Sequence, residues 1–377
     1  MRVLHVMECT IGGTRRHLVD VALGQAAAGL DVHVTAANLR QADFEADLQR
    51  LERAGVVVTR LAMVRNIAPA TDARHFAELK RQLERTRPDI VHTHSSKAGV
   101  LGRLASITTG IGVRVHTPHT FAFLFEAEFS RPKRALFRNI ERALSGHTRA
   151  VVAVSASEAR TFVRSGVVDP ERVRVIANGI DARPWMEARA LSRTEIGLAG
   201  EGPLALMIGL LNIAKGQDLA VRALARPGLD DLQLAVVGHG GMERELRELA
   251  VRIGVADRVR FLGYRDDVPR LVASGDFVLL PSRWEGMPYV ALEAMAAGKA
   301  IVATPVDGAV DLIDDGCTGF VARAIDVDSI AAALRAVTAL TVRERARMGE
   351  LGRERLIERY SAAAMVQSLV DLYAEVM

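Results

Sequence analysis

Short apolar runs alternate along the chain with segments in which apolar residues recur at helical spacing. In the first 180 residues the apolar runs predict seven strands, at 2–7, 32–36, 56–61, 90–94, 113–117, 150–154 and 173–176. Helical spacing between the runs predicts helices that include 17–28, 73–85 and 134–144. Strands and helices that alternate in this way indicate a mainly parallel sheet that is covered on both faces.

The same alternation begins again after residue 200. Apolar runs predict strands at 204–210, 232–237, 259–262, 277–280 and 300–303, with helices at 218–225, 242–253 and 290–297 between them. Asn178, Gly179 and Pro184 interrupt the pattern between the two halves, and a helix at 327–340 and an amphipathic stretch at 343–377 close the chain. With 377 residues the chain exceeds what one core usually serves. We therefore predict two doubly wound α/β domains that face each other across a cleft.

Composition narrows the class of protein. Hydrophobic residues make up 49% and charged residues 25% of the chain, as in folded soluble proteins. Cys9 and Cys317 belong to no CxxC pair, so we expect no disulfide framework or structural zinc, and a cytoplasmic location. The apolar run at 1–7 is too short for a signal peptide, which argues against a periplasmic binding protein, and no run approaches the ~20 residues of a membrane span.

Basic residues concentrate in the first half. Residues 1–180 carry 26 Lys and Arg against 17 Asp and Glu, whereas residues 181–377 carry 23 against 28. The excess suggests an anionic partner such as a membrane surface, a lipid phosphate or a nucleic acid, but a GC-rich genome also enriches arginine. Aromatic residues cluster at 121–129 and basic residues follow at 131–142, which fits either a membrane-surface patch or core aromatics beside a solvated helix.

Four loops after strands contain residues that suit a phosphate or a sugar. Gly12 and Gly13 precede a helix, and Lys215 offers a mobile charge, although a plain turn and a surface lysine are equally simple explanations. The glycines at 238–241 lack the dinucleotide fingerprint, so an NAD site is disfavoured. After the strand at 277–280, Glu285 and Glu293 flank the start of a helix whose first turn suits Pro288. These carboxylates either bind hydroxyl groups or serve as a cap and a surface charge.

Histidines gather at two strand ends. His92, His94, His116 and His119 lie there without acidic or thiol neighbours that would complete a metal site, so we predict no metal. His119 lies on a loop from which an imidazole can orient a sugar hydroxyl. Ser155 and Glu158 have the spacing of a capping box, which is a structural feature.

Read together, these loops resemble the retaining glycosyltransferases of family 4, which have the GT-B fold. The resemblance rests on the Glu285…Glu293 pair within Pro281-Ser282…Glu285-Gly286…Glu293-Ala-Met-Ala-Ala-Gly298, and on the segments at 12–13, 178–181, 215–216, 261–264 and 316–319. Segments 94–99 and 117–123 resemble members that build bacterial surface polysaccharides. The resemblance implies an acceptor-binding domain at 1–185, a donor-binding domain at 186–355 and a C-terminal helix at 356–377 that packs on the first domain.

The resemblance also implies roles for individual residues toward a nucleoside-diphosphate sugar. Glu293 binds the ribose, and Glu285, Gly286 and Met287 hold the transferred sugar. The amides of Tyr289 and Val290, with Lys215 and Gly13, bind the diphosphate. Gly12 and Gly209 complete the donor site, and His119 lies near the reacting carbon. The family implies neither metal nor cofactor, and a saccharide or lipid-linked saccharide as acceptor, with no nucleic acid and with membrane contact through 121–142 left open.

One position departs from the family pattern. Members usually have arginine directly after the glycine that ends the first donor-domain strand, but Leu210 follows Gly209 here. The chain therefore lacks one planar phosphate-binding cation, for which Arg15 or Arg16 is a candidate replacement. A second hypothesis, motivated by Leu210, is a non-catalytic scaffold of the same fold that serves a partner transferase.

Overall fold

The computed structural model describes residues 1–41, 43–198 and 201–377. They form two compact units, one of residues 1–178 with 362–377 and the other of residues 179–361. Each unit is built around one sheet in which every pair of neighbouring strands is parallel. Each half of the chain is thus the α/β structure that its alternating pattern predicts.

A seven-stranded sheet of order β3-β2-β1-β4-β5-β6-β7 forms the centre of the first unit. Its strands are β1 (Arg2–Met7), β2 (Asp31–Ala36), β3 (Val57–Arg60), β4 (Ile90–His94), β5 (Val113–Thr117), β6 (Ala150–Ala153) and β7 (Val173–Val175). The helices that connect them are α1 (Gly12–Ala27), α2 (Phe44–Arg53), α3 (Pro69–Thr86), α4 (Ser96–Thr109), α5 (Arg131–Ser145) and α6 (Ala156–Ser165). The strand order reverses between β1 and β4, where the carboxyl ends of doubly wound strands leave a crevice for ligands.

The sheet of the second unit has six strands in the order β10-β9-β8-β11-β12-β13. The strands are β8 (Leu204–Ile208), β9 (Gln233–Val237), β10 (Val259–Gly263), β11 (Phe277–Leu280), β12 (Ala300–Ala303) and β13 (Gly319–Val321). The helices are α7 (Arg183–Met186), α8 (Arg193–Ile196), α9 (Gln217–Leu224), α10 (Glu243–Arg252), α11 (Val268–Ser274), α12 (Tyr289–Ala296), α13 (Ala309–Leu312), α14 (Val327–Ala339) and α15 (Val342–Arg359). Strand order reverses between β8 and β11, so the loops after these two strands meet at the switch point.

The end of the chain differs from the single stretch expected over 343–377. Helix α15 ends at Arg359, and a separate helix α16 (Ala362–Val376) begins three residues later, in place of one helix over 356–377. Helix α16 belongs to the first unit and packs closely on α1, since a Cβ on Gly24 would lie 2.5 Å from Val366. This close packing buries Tyr373 beneath the sheet of the first unit.

Two of the aromatic residues before α5 belong to the core, whereas α5 itself has exposed residues. Phe121 and Phe123 are buried, and the ring of Phe121 lies 4.5 Å from that of Phe162, so these two are core residues and not part of a surface patch. Leu136 on α5 remains 50% exposed, and Lys133 and Arg138 lie exposed on the same helix. Among the described residues, no helix combines the length and apolar character that crossing a bilayer requires.

Candidate active site

Lys215 and Glu285 meet at the switch point of the second unit. Lys215 lies in a 3₁₀ turn, Ile213–Lys215, that follows β8, and Glu285 lies in the loop that follows β11. The Lys215 Nζ lies 2.6 Å from Glu285 Oε1, and Ser282 Oγ donates a hydrogen bond to the same oxygen at 2.7 Å. Both bonds use Oε1, so the position of the carboxylate is fixed while Oε2 takes part in neither.

Backbone contact holds the two loops together. The side chain of Asn212 caps the 3₁₀ turn, with Oδ1 accepting from the Lys215 N–H at 3.2 Å. Gly216 follows with φ +67°, and a Cβ built on it would lie 2.0 Å from the carbonyl oxygen of Pro281. Only glycine fits this position, because both its backbone conformation and its contact with Pro281 exclude a side chain.

Arg283 joins the same two loops through its side chain. Its guanidinium donates to both carboxylate oxygens of Asp218, at 2.8 and 2.7 Å, and to the carbonyl oxygen of Ile213 at 2.8 Å. Bidentate pairs of this kind fix orientation as well as distance. Arg283 lies inside the segment 281–298, but its role was not predictable from that segment because its partner is 65 residues away.

Helix α12 presents its amino end beside this pair. Pro288 occupies the N-cap and not the first turn, so α12 begins at Tyr289. Tyr289 and Val290 are the first residues of α12, and the amino end of a helix favours an anion because of its dipole. Glu293 is only 8% exposed, which rules out the alternative of a surface charge.

The loop that leads into α12 packs against the residues that follow β12. Met287 is 5% exposed, and a Cβ on Gly308 would lie 2.4 Å from the carbonyl oxygen of Gly286. Thr304 Oγ1 donates to the Ser282 carbonyl oxygen at 2.5 Å. These contacts fix the backbone of the residues predicted to meet the transferred sugar.

Gly209 and Leu210 lie directly after β8. The Gly209 N–H donates to the Val237 carbonyl oxygen at 2.9 Å, and the Leu210 carbonyl oxygen accepts from Gln217 Nε2 at 2.9 Å. The suggested replacement Arg15 is bound elsewhere, with its guanidinium 2.8 Å from Asp43 and 2.7 Å from Asp47. Arg15 is thus paired with these two carboxylates, and its role as a replacement stays a prediction.

In the first unit, the predicted glycines open a helix. Helix α1 begins at Gly12, with Ile11 at its N-cap and Gly13 as its second residue. His119 follows β5 on a turn with unusual backbone angles, φ +50° at His119 and φ +75° at Thr120. Glu158 supports this turn, since its Oε1 accepts from the Thr120 N–H at 2.8 Å. The Ser155 cap of α6 is present as predicted, and Glu158 has this further role.

Two histidines that the strand-end pattern did not indicate, His5 and His17, lie with the others near this turn. His94 Nδ1 lies 3.4 Å from His119 Nε2, and the ring of His17 lies 4.6 Å from that of His119. His5 joins them because β1 and β4 pair with His5 opposite His92. His5 could have been recognised from the sequence, because positions 5, 92 and 94 share one face of adjacent strands. His17 lies on helix α1 and gave no such signal.

Burial keeps these imidazoles neutral. Desolvation lowers the pKa of His5 to about 4 and the pKa of His17 to about 4. It also holds the pKa values of His92, His94 and His119 well below the usual range. Two groups of three, His5 with His92 and His94, and His17 with His94 and His119, bring ring nitrogens within 4.8 Å of one another.

Comparisons with known proteins identify the family. A model of "Glycosyltransferase Family 4" matches residues 11–183, and a model of "Glycosyl transferases group 1" matches residues 189–355. The D-inositol 3-phosphate glycosyltransferase of Geodermatophilus obscurus is 31% identical, with 90% of this chain and 85% of that protein covered. The UDP-Gal:alpha-D-GlcNAc-diphosphoundecaprenol alpha-1,3-galactosyltransferase of Escherichia coli is 28% identical over 84% of this chain and 82% of that protein.

Solved structures agree with this family. HepE of Anabaena, in complex with UDP and glucose, matches over 100% of both chains with a TM-score of 0.81 at 22% sequence identity, which establishes the likeness in fold. The predicted family and fold are thereby confirmed: the chain belongs to the group 1 glycosyltransferases of family 4 and has the GT-B fold.

Proposed function

We propose that this chain transfers a hexosyl unit from a nucleoside-diphosphate sugar to a hydroxyl group of a saccharide, with retention of the anomeric configuration. The observation that carries the proposal is the 2.6 Å pair of Lys215 and Glu285 beside the first turn of α12. A cation, a carboxylate and the first turn of a helix together match a diphosphate that bears a sugar. In this proposal residues 186–355 bind the donor, residues 1–185 bind the acceptor, and the last helix belongs with the acceptor-binding part.

Each donor-site residue has a distinct task in this proposal. Lys215 and the amides of Tyr289 and Val290 neutralise the diphosphate. Glu285 accepts hydrogen bonds from hydroxyls of the transferred sugar. The buried carboxylate of Glu293 accepts from the ribose hydroxyls. The roles of Gly12, Gly13, Gly209, Gly286, Met287 and His119 follow from the family resemblance.

The reaction then needs little movement of charged groups. The bond between the anomeric carbon and the phosphate oxygen breaks, and its electron pair remains on the diphosphate. The acceptor oxygen bonds to the same face of the sugar, and its proton passes to the leaving phosphate oxygen. Lys215 and the helix amides stabilise the charge that develops on the phosphate, which is commonly the largest contribution to such catalysis. We propose that neither metal nor cofactor takes part, and a chelator is then expected to leave turnover unchanged.

The relatives suggest which substrates to test first. The name of the E. coli relative contains UDP-Gal and a diphosphoundecaprenol-linked acceptor, and HepE was solved with UDP. We propose a UDP-sugar donor and a lipid-linked saccharide acceptor in bacterial surface polysaccharide synthesis, at the cytoplasmic face of the membrane. Titration of the purified protein with UDP, GDP and ADP, followed by turnover with the matching sugars, tests the donor.

Glu293 provides the sharpest test of the donor site. The substitution Glu293→Gln keeps the shape of the buried side chain, but it removes the charge and replaces one acceptor oxygen with an NH₂ donor. We therefore expect nucleoside-diphosphate affinity to fall about tenfold, because hydrogen bonds to a charged group are stronger than those to a neutral one. Calorimetric titration measures it, and Glu354→Gln on the exposed face of α15 is the matched control. Unchanged affinity in Glu293→Gln contradicts the site. Normal binding without turnover in the wild-type protein favours the scaffold hypothesis that Leu210 motivates.

Contact with the membrane is a separate proposal, carried by the exposed face of α5. Leu136 is 50% exposed there, and exposed Lys133 lies about one turn before it on the same face, a combination that suits an anionic lipid surface. We expect sedimentation with anionic vesicles at low salt and its loss in Leu136→Glu. Val342→Glu, at a 72% exposed position of the second unit, is the control. Absence of wild-type binding removes this proposal and leaves the transferase proposal intact.

A further inference from the structure

The buried histidines of the first unit form a continuous chain of hydrogen bonds that ends at His119. His5 Nε2 lies 2.8 Å from Gln25 Oε1, His5 Nδ1 lies 3.0 Å from His94 Nε2, and His94 Nδ1 lies 3.4 Å from His119 Nε2. Gln25, His5 and His94 are 0% exposed. His119 is partly exposed, so the chain runs from the interior of the unit to its surface.

The orientation of the Gln25 amide sets the donors and acceptors at the inner end of this chain. Gln25 Nε2 donates to Tyr373 Oη at 3.3 Å, so we assign that hydroxyl as the donor to His92 Nδ1, 2.5 Å away. In this assignment the other His92 nitrogen, Nε2, donates to Thr117 Oγ1 at 2.8 Å. Gln25 therefore turns its carbonyl oxygen toward His5, and a carbonyl oxygen can only accept.

This direction propagates along the chain because a neutral imidazole carries one N–H. His5 donates from Nε2 to Gln25, so His5 Nδ1 accepts from His94 Nε2. His94 Nδ1 then accepts from His119 Nε2. The nitrogen left over at the surface, His119 Nδ1, bears a lone pair and no proton.

We propose that Gln25, His5 and His94 are positioning residues that hold His119 in its Nε2–H tautomer, so that its Nδ1 accepts a hydrogen bond from a sugar hydroxyl. The inference rests on the proposed function for the identity of that hydroxyl-bearing ligand. His17 packs beside it, and its Nδ1 donates to Asn178 Oδ1 at 3.0 Å. A neutral acceptor at His119 suits a hydroxyl group and gives no attraction for phosphate.

The backbone at His119 supports the same role. The successive positive φ angles of His119 and Thr120 are unusual for residues with side chains, above all for a β-branched threonine. Glu158 holds this conformation by accepting from Thr120 N–H at 2.8 Å and from Val154 N–H at 2.7 Å. The turn and the histidine chain thus restrain the same imidazole from two sides.

A metal ion is the competing occupant of this cluster. The His17, His94 and His119 nitrogens lie close enough for one, but an ion there would break the bond between His94 and His119. An ion at His5, His92 and His94 would break bonds that already use both nitrogens of each ring. The three members of each group are neutral imidazoles, so neither group supplies a negative charge to balance a divalent ion. Hydrogen bonding therefore accounts for the cluster better than coordination does.

Nitrogen NMR of the ¹⁵N-histidine-labelled full chain tests the inference without substrate. We expect His119 to show a protonated Nε2 and an unprotonated Nδ1 in the wild-type protein. His94→Phe should give a mixture of tautomers, Gln25→Met should do the same from the far end of the chain, and His94→Gln, which can accept and donate, should restore the wild-type pattern. His33→Gln on β2 is the control, because His33 is not part of the hydrogen-bond chain.

Kinetics provide the second measurement. If transfer is established, His94→Phe should lower kcat/KM about tenfold, as expected for one hydrogen bond to a neutral group, while nucleoside-diphosphate affinity stays unchanged. A wild-type His119 protonated at Nδ1 contradicts the proposed hydrogen-bond chain, whether or not the protein transfers sugar. So does Zn²⁺ or Co²⁺ bound in stoichiometric amount at His94 and His119. If His119 shows the Nε2–H tautomer but the protein has no transferase activity, the hydrogen-bond chain is supported and the proposed function is contradicted.

Discussion

Leu210 leaves the loop after β8 with one cation, Lys215, where related sequences usually have an arginine as well. Lys215 pairs with Glu285 at 2.6 Å, and the guanidinium of Arg15 pairs with Asp43 and Asp47. Binding of the diphosphate in the proposed function falls to Lys215 and to the helix amides.

Restoring the arginine tests this account. In Leu210→Arg, we expect affinity for a nucleoside diphosphate to rise at least about tenfold, because one added charge-assisted hydrogen bond contributes about 1.5–3 kcal/mol. Calorimetric titration of both proteins with UDP measures the difference. Val251→Arg, at a 69% exposed position on α10, adds the same charge to the same unit away from the loop. Equal affinity of Leu210→Arg and wild type contradicts a diphosphate site beside residue 210.

At the scale of elements, the donor-site loops depend on their contact through Gly216. We expect Gly216→Ala to lower the free energy of unfolding of the second unit by about 1–3 kcal/mol, because alanine is strained at φ +67° and its Cβ would lie 2.0 Å from Pro281 O. The displaced loop should also weaken nucleoside-diphosphate binding. Urea unfolding followed by tryptophan fluorescence measures the stability, since both tryptophans, Trp185 and Trp284, belong to this unit.

A second glycine serves as the matched control for that experiment. Gly241 is exposed and has no atom within 4 Å of the position of a Cβ, so Gly241→Ala should leave both stability and binding nearly unchanged. Equal effects of the two alanines would mean that contact with Pro281 does not hold the loops together.

Elements with a strong local signal were predictable, and those that depend on distant partners were not. Strands such as β11 and β12 are buried throughout, so they are apolar runs that the sequence displays directly. The three-residue strand β13 begins with glycine and gave no such signal. The bond between Arg283 and Asp218, and the chain from Gln25 to His119, depend on strand order and register, which no local pattern contains.

The histidines are distributed unevenly between the two units. Nine of the ten lie in residues 1–178, and His239 is the one in the second unit. Burial lowers the pKa of His5 and of His17 to about 4, and holds the pKa values of His92, His94, His116 and His119 well below 6.5. Below pH 6.5 the unfolded chain therefore binds more protons than the folded one, and stability falls as the pH is lowered toward 4.

We expect the first unit to lose most of this stability at low pH. One pH unit below 6.5, each such histidine costs about 1.4 kcal/mol of unfolding free energy, and several act together. The pKa values of Glu8 and Asp20 are raised by burial and act in the opposite direction, but they are two groups against six histidines. Urea-dependent hydrogen exchange at pH 7.5 and 5.5, corrected for intrinsic rates, should show β4 peptides losing protection while β11 peptides change little. Equal losses in the two units would mean that the buried histidines do not govern acid stability.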